Sequence, residues 1–145
     1  MSELMSSLDV GNDFFIFPAR VYYEDTDAGG VVFYANYLKF MERARTEWLR
    51  SLGFEQHRLA VEENLVFAVV KVTVNYRKPA RLDDLLEVGA RVVETGRSSL
   101  VFEQFVRRAS DGTVFADGEI RAACLSASGF KPRSIPQSIR KALQQ

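Results

Sequence analysis

The chain has 145 residues, the size of a single domain, and 47% of them are apolar, including eleven Phe and five Tyr. Lys and Arg total 19 against 19 Asp and Glu, so the formal net charge is zero, which argues against a protein that coats nucleic acid with a basic surface. One Cys and one His exclude an internal disulfide framework, ordinary zinc sites and most Ser-His-Asp or Cys-His schemes.

Residues 1–13 are polar and read as a flexible N-terminal extension. They carry no basic leader followed by an apolar stretch, and no apolar run anywhere approaches the ~20 residues of a membrane-spanning helix, so a cytoplasmic protein is expected. From Phe14 to Tyr23 aromatic and β-branched residues predict a strand, interrupted or bent at Pro18. Asp25 to Gly30 is a loop. Residues 37–52 form the clearest helix: Tyr37, Leu38, Met41, Ala44, Trp48, Leu49 and Leu52 share one side, while Lys39, Arg43, Thr46 and Arg50 lie opposite. Asn36 is placed to cap its start and Gly53 to end it. A second helical stretch follows over Glu55–Glu62.

The period then changes to two. Val66, Ala68, Val70, Val72, Val74 and Tyr76 fall on one face of a strand, with Lys71, Thr73, Asn75 and Arg77 on the other. Leu86, Val88, Ala90 and Val92 repeat the pattern. Two further strands, about Ser99–Arg108 and Thr113–Leu125, are joined by the turn Ser110-Asp111-Gly112. Successive strands without intervening helices imply antiparallel hairpins, and the long helix must lay its apolar stripe on them. The fold class is α+β, with one domain over residues 14–136 and a short C-terminal tail over 137–145.

Most isolated chemical signals read as structure. Cys124 alternates with Ile120 and Ala122 and belongs to a core face. His57 stands in a polar stretch of surface character. Gly96-Arg97-Ser98-Ser99 lacks phosphate-loop spacing and reads as a turn. Glu24, Asp25 and Asp27 are followed by no acid at calcium-loop spacing, so no metal is expected. The ends differ in charge: residues 1–30 hold six acids against Arg20, whereas no acid follows Glu119. The basic end fits either a solvated segment or an anionic ligand.

The stretch from Asp27 to Asn36 combines a carboxylate, a glycine pair and the start of the long helix. Glycines permit close approach of the backbone, and a helix start offers unpaired N–H groups. Such an arrangement suits a reaction in which a carboxylate attacks, or activates water, while negative charge grows on a carbonyl oxygen. It equally suits an aspartate that caps the turn or helix, and both readings are open at this point.

The segment Val21 to Glu47, VYYEDTDAGGVVFYANYLKFMERARTE, resembles the signature of hotdog-fold acyl-CoA thioesterases of the 4-hydroxybenzoyl-CoA thioesterase family. Within that family it is similar to the branch associated with the bacterial Tol–Pal system. Lys71–Tyr76, Pro79–Asp84, Ser98–Phe102 and Lys131–Arg133 support the match, which spans about residues 14–136. The resemblance implies an antiparallel sheet of five or six strands wrapped around one long central helix. It implies a hydrolase of acyl-CoA without metal or redox cofactor, in which Asp27 is nucleophile or general base and the Tyr34 backbone N–H polarises the thioester carbonyl. Tol–Pal-associated members usually carry His where this chain has Tyr34, which leaves acyl preference open.

The same resemblance implies a homodimer with a continuous sheet, often paired into a homotetramer, with active sites at the dimer interface. Glu42 is the rival carboxylate on the helix, and the spacing also suits an ion pair with Arg45. Lys131 and Arg133 are expected to hold the coenzyme A phosphates, with Arg97 beside Ser98 and Ser99, one of which would bond the pantetheine. The alternative is a non-catalytic hotdog module that binds acyl groups, acyl carrier protein or an envelope-complex partner. A dehydratase fits less well, because its chemistry uses a histidine and His57 lies outside the motif.

Overall fold

The computed structural model describes residues 14–144, so the extension expected over residues 1–13 lies outside the described residues. Strand β1 (Phe15–Arg20) leads through a short 3-10 turn (Tyr23–Asp25) and a hairpin loop to helix α1 (Asn36–Ser51). Helix α2 (Gln56–Glu63) and strands β2 (Leu65–Tyr76), β3 (Leu85–Thr95), β4 (Ser99–Arg108) and β5 (Val114–Ser126) follow, and helix α3 (Gln137–Leu143) ends the fold. The strands form one five-stranded sheet in the order β1-β3-β4-β5-β2, with every neighbouring pair antiparallel. β1 is an edge strand, a place where Pro18, which lacks an N–H, is tolerated without ending the strand.

Helix α1 lies over β1, β3 and β4. It buries Tyr37, Phe40, Met41, Ala44, Trp48 and Leu49, while Leu38 and Leu52 are only partly covered. The apolar stripe is the expected one with Phe40 added at one edge and Leu38 and Leu52 only partly covered at the other. Facing it are Leu86, Val88 and Ala90 of β3 and Leu100, Phe102 and Val106 of β4. Gly53 ends the helix as expected. It has φ +94°, its N–H donates to the Arg50 carbonyl (3.0 Å), and the Phe54 N–H donates to that of Leu49 (2.9 Å).

Three expectations need correction. Asn36 is not the N-cap: it is the first helical residue, Ala35 precedes it without a side-chain cap, and the Asn36 amide donates instead to the Asp25 carbonyl at 3.1 Å. Strand β2 does not keep one phase. A bulge between Val69 and Lys71 leaves Val70 unpaired, so Phe67 and Val69 face inward before it and Val72 and Val74 after it. Val66 and Ala68 consequently lie on the outer face with Lys71 and Thr73. Finally, the stretch set apart as a C-terminal tail carries α3, whose Ile139 and Leu143 are buried in the main core.

Candidate functional site

The hairpin between β1 and α1 is held by two aspartates in different ways. Asp25 is 7% exposed and fully engaged. Its Oδ2 accepts the Tyr22 N–H (2.8 Å), its Oδ1 faces the Asn36 amide (3.4 Å), and its carbonyl accepts the Phe33 N–H (2.9 Å). Asp25 thus braces the loop against the first turn of α1. Asp27 is exposed, and its carboxylate has one partner among the described residues, the Gly29 N–H at 2.8 Å from Oδ1. The Asp27 N–H donates to Val31 (2.8 Å), Gly30 turns at φ +81°, and its N–H returns to the Asp27 carbonyl (3.0 Å). A side chain at Gly29 would crowd the carboxylate, since its Cβ would lie 3.2 Å from Asp27 Oδ1. The second carboxylate oxygen therefore stays free at the tip of a rigid turn.

The other strand of this hairpin leads directly to Tyr34. Its backbone N–H has no hydrogen-bond acceptor among the described residues, and it lies just before the N-terminus of a sixteen-residue helix. The Tyr34 ring is exposed and meets Tyr76, at the end of β2, edge-on at 6.0 Å between centroids. Phe33 packs on Tyr34 at 4.8 Å and Tyr37 on Tyr76 at 5.7 Å. Burial first, and then the neighbouring Tyr34, raise the Tyr76 phenol above its ordinary value of 10.0, so it stays protonated at neutral pH. This aromatic wall escaped the sequence reading, because Tyr76 lies forty-two residues from Tyr34 and only the fold brings it against the motif that holds Phe33 and Tyr34.

Glu42 and Arg45 do not pair. Arg45 Nη1 donates to Gln104 Oε1 of β4 at 2.8 Å, and the fully buried Gln104 amide donates onward to the Met41 carbonyl at 3.0 Å. Burial lowers the Arg45 pKa and the Glu42 charge opposes that shift. Glu42 is exposed, makes no ion pair among the described residues, and opens on a groove of about 270 Å³ between α1 and the β5–β2 half of the sheet. Gln104 was recoverable in principle, since it occupies an inward position in the alternation Leu100, Phe102, Gln104, Val106.

The residues expected to meet coenzyme A gather at the opposite end of β2. Arg97 Nε donates to Ser134 Oγ (2.9 Å), and the Arg97 carbonyl accepts the Ile135 N–H (2.9 Å) and Arg140 Nη2 (3.2 Å). The Ser98 carbonyl accepts the Cys124 N–H (2.7 Å), and neither the Ser98 nor the Ser99 hydroxyl has a partner among the described residues. Lys131 is exposed. Arg133 Nη1 donates to the Glu63 and Asn64 carbonyls at 2.6 and 3.2 Å, so this side chain also closes the end of α2. A twelve-residue strand spans roughly 35 Å, which separates these cations from Asp27 and Tyr34 within one chain.

Cys124 is buried, and burial raises its thiol pKa, which leaves it a core residue and not a nucleophile. His57 is exposed. Among the described residues no group of three or more His, Cys, Asp or Glu is arranged to hold a metal ion, and no helix is long and apolar enough to cross a membrane.

One five-stranded antiparallel sheet packed against a long helix is the hotdog architecture of the thioesterases. Residues 29–115 match the family model of the thioesterase superfamily, and the chain belongs to that superfamily. Among its relatives, the acyl-CoA thioester hydrolase YbgC of Escherichia coli O6:H1 is 47% identical over 125 residues, covering 86% of this chain and 92% of the relative. The acyl-CoA thioesterase YbgC of Haemophilus influenzae is 44% identical over 128 residues, 88% and 93% of the two chains. A probable thioesterase from Bartonella henselae superposes with TM-score 0.79 at 36% identity, covering 85% of this chain and 99% of the other.

Proposed function

We propose that the protein hydrolyses an acyl-CoA to the free acid and coenzyme A, with Asp27 as the reacting carboxylate and the Tyr34 N–H as the donor to the thioester oxygen. The observation that carries this reading is the pairing of one free carboxylate oxygen with one free backbone N–H on two strands of a braced hairpin. A thioester carbonyl set against Tyr34 N–H gains a donor that needs no reorganisation as charge grows on its oxygen. Asp27 then either attacks the carbonyl carbon, expelling the thiolate and leaving an anhydride for water to open, or takes a proton from the attacking water. Both routes deliver the acid and the coenzyme A thiol, and neither calls on a metal. The names of the YbgC relatives support the acyl-CoA substrate.

A second copy of the chain fits this chemistry. β2 is an edge strand whose Val69, Val70 and Val72 are exposed beside the groove under α1. Antiparallel pairing of two β2 strands would cover this apolar surface and carry Lys131, Arg133 and Arg97 of one copy toward Asp27 of the other. In this reading the cations hold the nucleotide phosphates, Ser98 or Ser99 bonds the pantetheine, and Glu42 lines the seam.

The test is thiol release from short, long and aromatic acyl-CoAs. Wild-type protein should turn over at least one class, and Asp27→Asn should lose a factor on the order of 10² or more while keeping its fold. Glu42→Gln is the control and should retain most activity. Near-normal turnover by Asp27→Asn would overturn the assignment. Binding of acyl-CoA or acyl carrier protein without any hydrolysis would make the protein a binding module.

A further inference from the structure

We propose that Phe130 is a stacking platform for the adenine ring of the substrate's coenzyme A, which rests on the acyl-CoA reading above. Phe130 sits in the turn that follows β5, with φ +53°, a left-handed conformation that bulky residues avoid. Gly129 precedes it, yet the positive φ falls on the aromatic residue. The residue is 68% exposed, and its ring packs on no other aromatic ring among the described residues. The fold thus holds a large apolar side chain out in water from a disfavoured backbone.

The turn beneath it is firmly built. The Phe130 N–H donates to the Ser126 carbonyl (2.8 Å), the Ser126 N–H to the Lys131 carbonyl (2.8 Å), and the Lys131 N–H to Ser126 Oγ (3.2 Å). On one flank the Asn64 side chain clamps Ser128 through its N–H (2.8 Å) and its hydroxyl (3.2 Å). On the other, Leu125 bridges Pro132. An exposed ring on a fixed support loses little freedom when a planar ligand settles on it.

Charge selects the ligand. Lys131 follows directly in the chain, and Arg133 is oriented by its bonds to Glu63 and Asn64. Glu62 of α2 is paired with Arg58 at 3.4 Å, and no acid follows Glu119 in the sequence. A π-face next in the chain to one cation and three residues before another suits a purine that carries phosphates, because every base offers a stacking face and the phosphates need positive partners. Coenzyme A supplies both in its adenosine 3′,5′-bisphosphate end.

The experiment compares KM for benzoyl-CoA with KM for the benzoyl thioester of 4′-phosphopantetheine, which lacks the adenosine. Phe130→Ala and Phe130→Leu should each raise KM for benzoyl-CoA about tenfold and leave the truncated substrate unchanged, while Phe130→Trp keeps the wild-type value. Leu retains apolar bulk without a π-face, so it separates stacking from simple coverage. An unchanged KM for benzoyl-CoA, or an equal rise for both substrates, would overturn the platform. Calorimetry with adenosine 3′,5′-bisphosphate keeps this distinct from the catalytic reading. If no thioester is hydrolysed, the acyl-CoA reading fails, and the platform stands only if wild type binds the nucleotide and Phe130→Ala binds it more weakly.

Discussion

The two ends of strand β2 are built for opposite partners. At the Tyr76 end stand the exposed Asp27, the Tyr34 N–H, which has no acceptor among the described residues, and a wall of tyrosine rings. At the Leu65 end stand Lys131, Arg97 bonded to Ser134 and Ile135, and Arg133 bonded to the end of α2. The first end suits an acyl group and its carbonyl, the second a phosphorylated handle. A rigid strand holds them apart, so one chain cannot bring both to one substrate by bending. Under the proposed function the active site belongs to a pair of chains, each β2 strand delivering its two ends to two different sites.

Separating the two ends genetically should cost the most activity. An Asp27→Asn chain and an Arg97→Glu/Lys131→Glu chain should each be nearly inactive alone at low substrate. Co-refolded in equal amounts, they should recover about a quarter of the wild-type rate, because half the dimers are mixed and each mixed dimer holds one intact site. No recovery would mean that both ends serve a site within one chain.

A smaller effect sharpens the cationic end. Lys131→Ala should raise KM for acyl-CoA about threefold at low salt and flatten its salt dependence, as expected for an exposed charge contact. Lys131 is the cleaner probe of the pair, since Arg133→Ala would also remove the bonds that close α2. Steady-state kinetics from low to high ionic strength measures both.

The smallest effect lies at the aromatic end. The Tyr37 hydroxyl accepts the Ala80 N–H at 3.0 Å, and burial, ahead of the other influences, raises its pKa above 10.0. The unfolded chain therefore loses this proton first as pH rises. Stability from this group is complete below pH 10.0 and is lost as pH climbs through the folded-state value. Denaturant titrations should show an alkaline decline that Tyr37→Phe reduces.

Much of the architecture was legible in the sequence because it follows periodicity. The stripe of α1 and the alternation of β3, β4 and β5 are repeated signals, and Ser110-Asp111-Gly112 is a turn by composition: Gly112 has φ +75° and Asp111 accepts the Thr113 N–H. What failed depended on contacts between distant elements. Arg45 had a plausible partner three residues away, but burial against β4 gave it Gln104 instead. Asn36 had the chemistry of a cap, but Asp25 lay close enough to claim its amide. Helix α3 was hidden because seven residues after a proline, rich in basic groups, carry only Ile139 and Leu143 as an apolar pair. At the candidate site, Asp27 and Tyr34 emerged from a contiguous motif. Their aromatic surroundings did not, since Tyr76 arrives from the far end of another strand.

The extra residue at Val70 acts as a phase inverter. Up to Val69 the odd positions of β2 face the helix layer, and from Val72 the even ones do. A map of tolerated substitutions along this strand should therefore change parity halfway. Polar residues would be accepted at 66 and 68 but not at 67, and at 71 and 73 but not at 74. Removing residue 70 alone would leave Val69 and Lys71 consecutive and still opposite Ala122 and Arg121, so the ladder would turn regular with Phe67 and Val69 still facing inward. A position with no cross-strand partner of its own thereby offsets the numbering of the two halves while each half keeps its face.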